Sequence, residues 1–280
     1  MCTIIFFARV RAPSVQIRNK VVLITGASEG IGAACADAFR RRGARLALTA
    51  RSRSKLLQVG GSEALIVDGD ITDAAVREEI VKRAVERFGT IDVLVNSAGV
   101  GLYAPAWSAR MEDVRSMFEL NFFALLGMVQ LVAPVMSAQH SGTIVNIGSI
   151  AGKVTLPWLT LYSASKYALG SLTDGLRMEL KRDGVHAMTV CPGYVSTGFQ
   201  NHVVAGSPPP TVQRSRTFKI TAGQCAEAIA RGVERNARTV VTPRTGWFFI
   251  IMERLLPHLV DAQMERMYRS DAVGETAPRQ

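Results

Sequence analysis

The juncture at residues 21–42 constrains the fold more than any other stretch. Val21–Thr25 is a continuous apolar and β-branched run, as suits a parallel strand buried on both faces. It opens without a spacer into Thr25-Gly26-Ala27-Ser28-Glu29-Gly30-Ile31-Gly32, and Ile31–Arg42 then has helical character and stops before Gly43. The alternation continues. Arg45–Thr49, Ala64–Val67, Ile91–Asn96, Thr143–Ile147, Val185–Cys191 and Thr239–Thr242 read as strands, with helices at Asp73–Phe88, Glu112–Met136, Tyr162–Arg182 and Gly223–Asn236. Repeated βα units imply an α/β fold with a doubly wound parallel sheet, right-handed crossovers and helices on both faces.

Composition narrows the class. With 48% hydrophobic and 20% charged residues in 280, the chain can bury a full core and is not disordered. Cys2, Cys35, Cys191 and Cys225 lie far apart with no CxxC, so neither a disulfide scaffold nor a zinc module is expected; no metal site is predicted, and a reducing, cytoplasmic setting fits. The net charge of +10 comes largely from scattered arginines without interleaved aromatics, so no nucleic-acid partner is expected. Met1–Lys20 has only a short apolar run, Ile4–Ala8, before Arg9 and Arg11, and does not read as a secretory signal. Leu120–Gly152 passes without Asp, Glu, Lys or Arg, yet its polar residues divide it into a buried helix, a turn at His140–Gly142 and a buried strand, not a membrane span. No repeat or linker divides the chain. The organisation expected is an N-terminal extension (1–18), one domain (19–243) and a C-terminal helical extension and tail (244–280).

In such sheets, ligands sit beyond the carboxyl ends of the strands. Gly26 would permit the tight turn there, Gly30 a close backbone approach to a pyrophosphate, and Gly32 the packing of helix on strand. The spacing is TGxxxGxG rather than GxGxxG. Asn96-Ser97-Ala98-Gly99, Ser149, Tyr162-Ser163-Ala164-Ser165-Lys166 and Pro192-Gly193 follow in order. Together these motifs closely resemble the short-chain dehydrogenase/reductase superfamily over roughly residues 19–243. The resemblance implies a Rossmann-type sheet in strand order 3-2-1-4-5-6-7 and a nicotinamide dinucleotide held by Gly26, Ser28, Gly30, Ile31, Gly32, Asp70, Ile71, Asn96, Ala98, Gly99, Pro192, Gly193, Val195 and Thr197. Asp70 and Ile71 would meet the adenine, the Asn96–Gly99 turn would pack behind the cofactor, and Thr197 would meet the carboxamide.

NAD-preferring relatives place a carboxylate at the end of the second strand, to accept from the ribose 2′-OH. Here that position is Ala50 and Arg51 follows, so NADP(H) is favoured over NAD(H): a guanidinium can grip a 2′-phosphate that a carboxylate would repel. Arg53 or Ser52 would assist, and Glu29 runs against this preference.

Tyr162 and Lys166, four apart on a helix, share one face. A phenol has an unperturbed pKa of about 10, and lowering it by about three units takes roughly 4 kcal/mol of preference for phenolate. A nearby ammonium and the charge of an oxidised nicotinamide are expected to supply this, making Tyr162 the general acid/base. By resemblance, Lys166 also contacts the nicotinamide ribose, Ser149 polarises the substrate carbonyl, and Asn121 holds a water linking Lys166 to solvent.

Gly198–Ala222 reads as part of a long substrate lid (about 194–222), mobile without ligand. Candidate pocket residues are Leu102, Tyr103, Ile150, Val154, Leu156, Trp158, Tyr194 and Phe199, which suit a hydrophobic ketone, aldehyde or secondary alcohol. The apolar Trp247–Met267 stretch would cover the pocket, meet a neighbouring subunit, or lie on a membrane surface. The expectation is an NADP-dependent carbonyl/alcohol oxidoreductase, homodimeric or homotetrameric through the Tyr-bearing and preceding helices. Its alternatives are a membrane-surface reductase of lipid-like or steroid-like substrates and a non-catalytic dinucleotide-binding regulatory module.

Overall fold

Seven parallel strands end level with one another, and that shared edge is where the chemistry-bearing residues collect. The computed structural model describes residues 15–208 and 219–275. The strands are β1 (Val21–Thr25), β2 (Arg45–Ala50), β3 (Leu65–Asp68), β4 (Val93–Asn96), β5 (Gly142–Ile147), β6 (Val185–Pro192) and, after a short parallel pair β7 (Val195–Ser196) and β8 (Ile220–Thr221), β9 (Thr239–Thr242). Their order, β3-β2-β1-β4-β5-β6-β9, is the expected one, with the small pair intervening in the chain before the last strand. Thr25 stands opposite both Thr49 and Asn96, and Asn96 opposite Asn146, which aligns the carboxyl ends.

Helices cover both faces. On one, α1 (Gly30–Arg40) and α7 (Ala222–Glu234) pack over Val22, Ile24, Val95 and Val145; on the other, α3 (Ala74–Phe88), α5 (Leu125–Ala138) and α6 (Thr160–Glu179) pack over Leu23, Leu94, Ile144 and Ala187. The alternation of Val22, Leu23 and Ile24 between faces is the period-two geometry of a strand buried on both sides, each large side chain contributing roughly 1.5–3 kcal/mol. Cap chemistry sets several ends. Asp73 accepts from Ala75 N at 2.9 Å to start α3, and Thr221 with Gln224 forms a capping box on α7.

Two elements depart from expectation. Helix α2 (Arg53–Gly60) has little apolar periodicity and was not expected; it is anchored mainly by Leu56 and Gly60. The predicted helix Glu112–Met136 is three pieces: α4 (Met111–Phe118), a π-helical stretch Glu119–Ala124, and α5. The wide turn carries Asn121, whose amide bonds Val100 at both ends, Oδ1 accepting from Val100 N and Nδ2 donating to Val100 O, each at 2.9 Å. A π-bulge at such a site is the usual way a helix re-aims one side chain. Met111–Ala138 has the length and mean hydropathy, 1.7, to cross a bilayer. Met128, Val129, Val132 and Met136 nevertheless belong to the core under the sheet.

The expected mobile lid lies partly outside the described residues (209–218). Its described part is stitched down: Gly101 N donates to His202 O at 3.1 Å, Val204 N to Gly101 O at 2.9 Å, and Tyr103 N to Ala205 O at 3.1 Å. Beyond β9 the chain forms α8 (Gly246–Leu255) and α9 (Pro257–Glu275).

Candidate active site

A crevice of about 690 Å³ runs across the carboxyl edge of the sheet, from the β1–α1 turn to α9. Gly26 (φ +65°) and Gly30 (φ +59°) adopt the left-handed conformation that glycine tolerates, and a Cβ on Gly26 would stand 2.8 Å from the Ala98 Cα. Gly32 does not line the crevice; a Cβ there would meet the Gly26 carbonyl, so its bare Cα lets helix close on strand. At the start of α1, Glu29 occupies the N-cap position but its side chain makes no capping bond. The first-turn N–H groups therefore keep their positive end of the helix dipole for an anion, and with two glycines beside them they fit a pyrophosphate.

Most of the remaining predicted cofactor residues line this crevice: Ser28, Ile31, Arg51, Asp70, Ile71, Ala98, Gly99, Pro192, Gly193, Val195 and Thr197. Asn96 does not. It is fully buried, donating to Asn146 Oδ1 at 2.9 Å, while Asn146 donates to Thr173 Oγ1 at 3.0 Å. This chain of amides ties β4 and β5 to α6 beneath the site. Asp70 Oδ1 accepts from both Thr72 N and Thr72 Oγ1 at 2.9 Å, fixing the turn that holds Ile71.

The charges near the crevice were only partly legible. Arg51 is exposed on its wall, but Arg53 is engaged by Asp68 at 2.7 Å. The cation that joins Arg51 at this end of the wall is Lys55, brought there by α2, a helix the sequence pattern does not announce. Lys55 Nζ bonds Glu29 Oε2 at 3.0 Å, and Glu29 also pairs with His202 from the lid. Lys55 beside it holds the Glu29 carboxyl below its usual range. The acid that ran against an anionic ligand is thus compensated by two basic partners.

At the other end, Ser149, Tyr162 and Lys166 converge. Ser149 ends the β5 turn in an extended conformation, and its Oγ accepts from Ala151 N at 3.1 Å. Gly152 lets this turn lie against α6, since a Cβ there would stand 2.8 Å from the Lys166 carbonyl oxygen. Tyr162 and Lys166 are 8% and 5% exposed, at the buried face of α6 and at the crevice wall. Lys166 Nζ lies 5.7 Å from the Tyr162 ring centroid and donates to Ile147 O at 3.1 Å. A Cβ on Gly99 would stand 3.0 Å from Asn121 Oδ1 and 3.4 Å from Lys166 Nζ, so glycine keeps that meeting point open. Asn121, its amide held by Val100 and donating also to Ser165 Oγ at 3.3 Å, clamps the Gly99–Val100 backbone to α6.

The electrostatics differ from the expectation of a phenol made acidic by its lysine. Burial pushes the Tyr162 phenol well above its usual value, the Ser149 hydroxyl pulls it back, and Tyr103 adds to the rise. Burial also pushes the Lys166 ammonium down to about 8. Desolvation dominates because both groups have left water. The protein alone keeps the Tyr162 phenol protonated.

Tyr103, Ile150, Val154, Leu156, Trp158, Tyr194 and Phe199 line the adjoining space as predicted, whereas Leu102 packs behind it. The far wall comes from the C-terminal stretch expected to cover the pocket, with Phe249 from α8 and Gln263, Met264 and Met267, together with the following Tyr268, from α9. The Tyr268 ring lies 5.1 Å from that of Trp158.

Comparison with known proteins agrees with this arrangement. The sequence pattern described as short chain dehydrogenase matches residues 20–207. An uncharacterized oxidoreductase of Staphylococcus saprophyticus is 38% identical over 190 residues, 65% of this chain and 81% of its own length. Among solved structures, a short chain dehydrogenase/reductase of Burkholderia phymatum in complex with NAD superposes with a TM-score of 0.80 at 26% identity, covering 88% of this chain and 96% of the other. A short chain dehydrogenase of Burkholderia cenocepacia in complex with NADP gives 0.77 at 28% identity, covering 89% and 99%.

Proposed function

Because this chain belongs to the short-chain dehydrogenase/reductase family, an oxidoreductase family whose fold and nucleotide-binding crevice it shares, we propose that it is an NADP(H)-dependent reductase of hydrophobic ketones or aldehydes, acting on the corresponding alcohols in reverse. The observation that carries this reading is the convergence of Ser149, Tyr162 and Lys166 on one side of a crevice whose other end is a glycine-built anion cradle. When bound, a nicotinamide would supply or accept the hydride. Ser149 orients the carbonyl oxygen by hydrogen bonding, and Tyr162 gives that oxygen its proton as negative charge develops there. Burial suits Tyr162 to this direction, since the protonated phenol is the form that reduction consumes. In oxidation, Tyr162 would take the alcohol's proton, its phenol lowered by the positive charge that an oxidised nicotinamide would supply.

The preference for the 2′-phosphate rests on Ala50 in place of an acid, on Arg51, and on Lys55 with Glu29 compensated by its two partners. Apart from Lys166, no lysine or arginine among the described residues lines the Tyr162 end, and its apolar walls support a hydrophobic substrate. Assembly into a homodimer or homotetramer belongs to the same reading: Phe123, Tyr167 and Met178, on the π-helical stretch and α6, are 53%, 41% and 73% exposed.

A panel of aliphatic, aromatic and polycyclic ketones and aldehydes, assayed with NADPH and NADH by loss of reduced-nicotinamide absorbance, tests the proposal. Turnover of apolar carbonyls with NADPH preferred is expected. Cofactor binding without turnover of any carbonyl or alcohol would replace it with the regulatory-module reading.

A further inference from the structure

Helix α8 has two faces with different business. Phe249 and Glu253 point to the protein: Phe249 lines the crevice, and Glu253 lines a second cavity shared with α9 and Trp158, its Oε2 buried. On the opposite side, Trp247, Phe248, Ile251 and Leu255 are 41%, 63%, 50% and 69% exposed. At about 3.6 residues per turn these four fall within roughly a third of the circumference. Leu256 and Leu259, 47% and 61% exposed, extend the apolar strip into α9.

Charge says what covers this strip. The exposed charged residues flanking α8 are arginines, Arg244 just before it and Arg254 in its last turn, one turn from Ile251 and two from Trp247. The acid of the helix, Glu253, is turned inward. Farther along α9 the surface reverts to mixed charge, with Glu265 and Arg269 paired. A two-fold copy of this face would bring its own arginine rim against this one, whereas anionic headgroups neutralise guanidinium while acyl chains take up the indole and aliphatic groups. The protein's net charge of +10 adds long-range attraction to an anionic surface. With 10 residues, α8 is far too short to span a bilayer of about 30 Å, so it lies in the plane of the interface.

We infer that the outer face of α8, continued by Leu256 and Leu259, docks the protein on the surface of an anionic lipid bilayer. Phe249, Met264 and Met267 on the inner sides of the same two helices line the substrate end of the crevice, so the docked surface lies one helix thickness from it. Delivery of a lipid-dissolved carbonyl compound from bilayer to crevice rests on the proposed reductase activity; the docking itself does not.

The test is cosedimentation of the full chain with phosphatidylcholine vesicles, with and without phosphatidylglycerol. Binding to the anionic vesicles is expected, weakened about 30-fold by Arg244→Gln/Arg254→Gln, since each arginine near the surface is worth about 1 kcal/mol. Ile251→Glu/Leu255→Glu should abolish binding at an unchanged melting temperature and unchanged NADPH affinity; Phe248→Ser, a milder change, should weaken it in the same direction. A chain lacking residues 2–14 should still bind. The inference is overturned if the wild type ignores anionic vesicles, if removal of residues 2–14 abolishes binding, or if the Ile251/Leu255 variant binds as before. A fall of that variant to a smaller oligomer, with vesicle binding unaltered, would instead assign the face to a second copy of the chain.

Discussion

The two ends of the crevice are built by different means. The end at Gly26–Gly32 is made of backbone: left-handed glycines, helix N–H groups and strand ends held in parallel register. The end at Tyr162 is made of side chains from scattered elements, with α6, the Ser149 turn, the Tyr194–Phe199 segment and the C-terminal helices each contributing. Backbone geometry suits a ligand common to many proteins, because peptide N–H groups are the same in every sequence. Side-chain walls suit a ligand peculiar to one, since they change with each substitution.

Tyr162→Phe puts the greatest strain on this division. Turnover should fall about 10³-fold or more, as loss of a positioned proton donor does, while NADPH affinity stays within about twofold. Steady-state kinetics beside a fluorescence titration would show it; retained turnover would remove the phenol from the chemistry.

Arg51→Ala probes the backbone-built end at the point where a side chain joins it. Losing a charge-assisted bond of about 1.5–3 kcal/mol should weaken NADPH by roughly 10- to 100-fold and NADH hardly at all. Equal losses for both cofactors would mean that Arg51 does not meet a 2′-phosphate.

Lys166→Met sharpens the contrast through stability. The Lys166 ammonium falls from 10.5 to about 8 on folding, so below pH 8 folding carries a buried charge that the unfolded chain keeps in water. The penalty, roughly 3 kcal/mol, is present in full below pH 8 and fades as pH rises toward 10.5, where the unfolded chain gives up the same proton. The variant should therefore be inactive yet melt higher than wild type at pH 7, by the equivalent of about 1–3 kcal/mol, with the gap narrowing toward pH 9.5. A gap that widened with pH would reverse the sign of this argument.

Tyr268→Ala should have the smallest effect. Trimming one wall of the side-chain end, where its ring meets Trp158, should raise KM for a bulky apolar carbonyl about 3- to 10-fold and leave kcat within about twofold. An unchanged KM would place α9 outside the substrate's reach.

The part of the site within sequence reach is the part carried by local pattern. Val21–Thr25 feeding a glycine turn, and Tyr162 one helical turn from Lys166, each announce their geometry over a few residues. Lys55 is different: α2 lacks an apolar stripe, so nothing local said that a helix would carry this lysine back to the crevice. Asn96 was expected in a turn packing behind the cofactor, but its partner was not legible. Its amide faces Asn146 across the sheet, a pairing set by register between strands some 50 residues apart.

From its sequence alone, this protein's doubly wound sheet, its glycine turn between β1 and α1 and the pairing of Tyr162 with Lys166 on one helix face were determined, because strand alternation, glycine conformational freedom and i, i+4 helical spacing are short-range rules. Only the tertiary structure decided which charges sit together and which walls close the substrate space. The pairing of Glu29 with Lys55 and His202, the burial that raises Tyr162 and lowers Lys166, and the turn of α8 that buries Glu253 and exposes Trp247 all join groups distant in the chain or set by packing. Desolvation and Coulomb energies depend on distance in space, which a linear pattern does not carry.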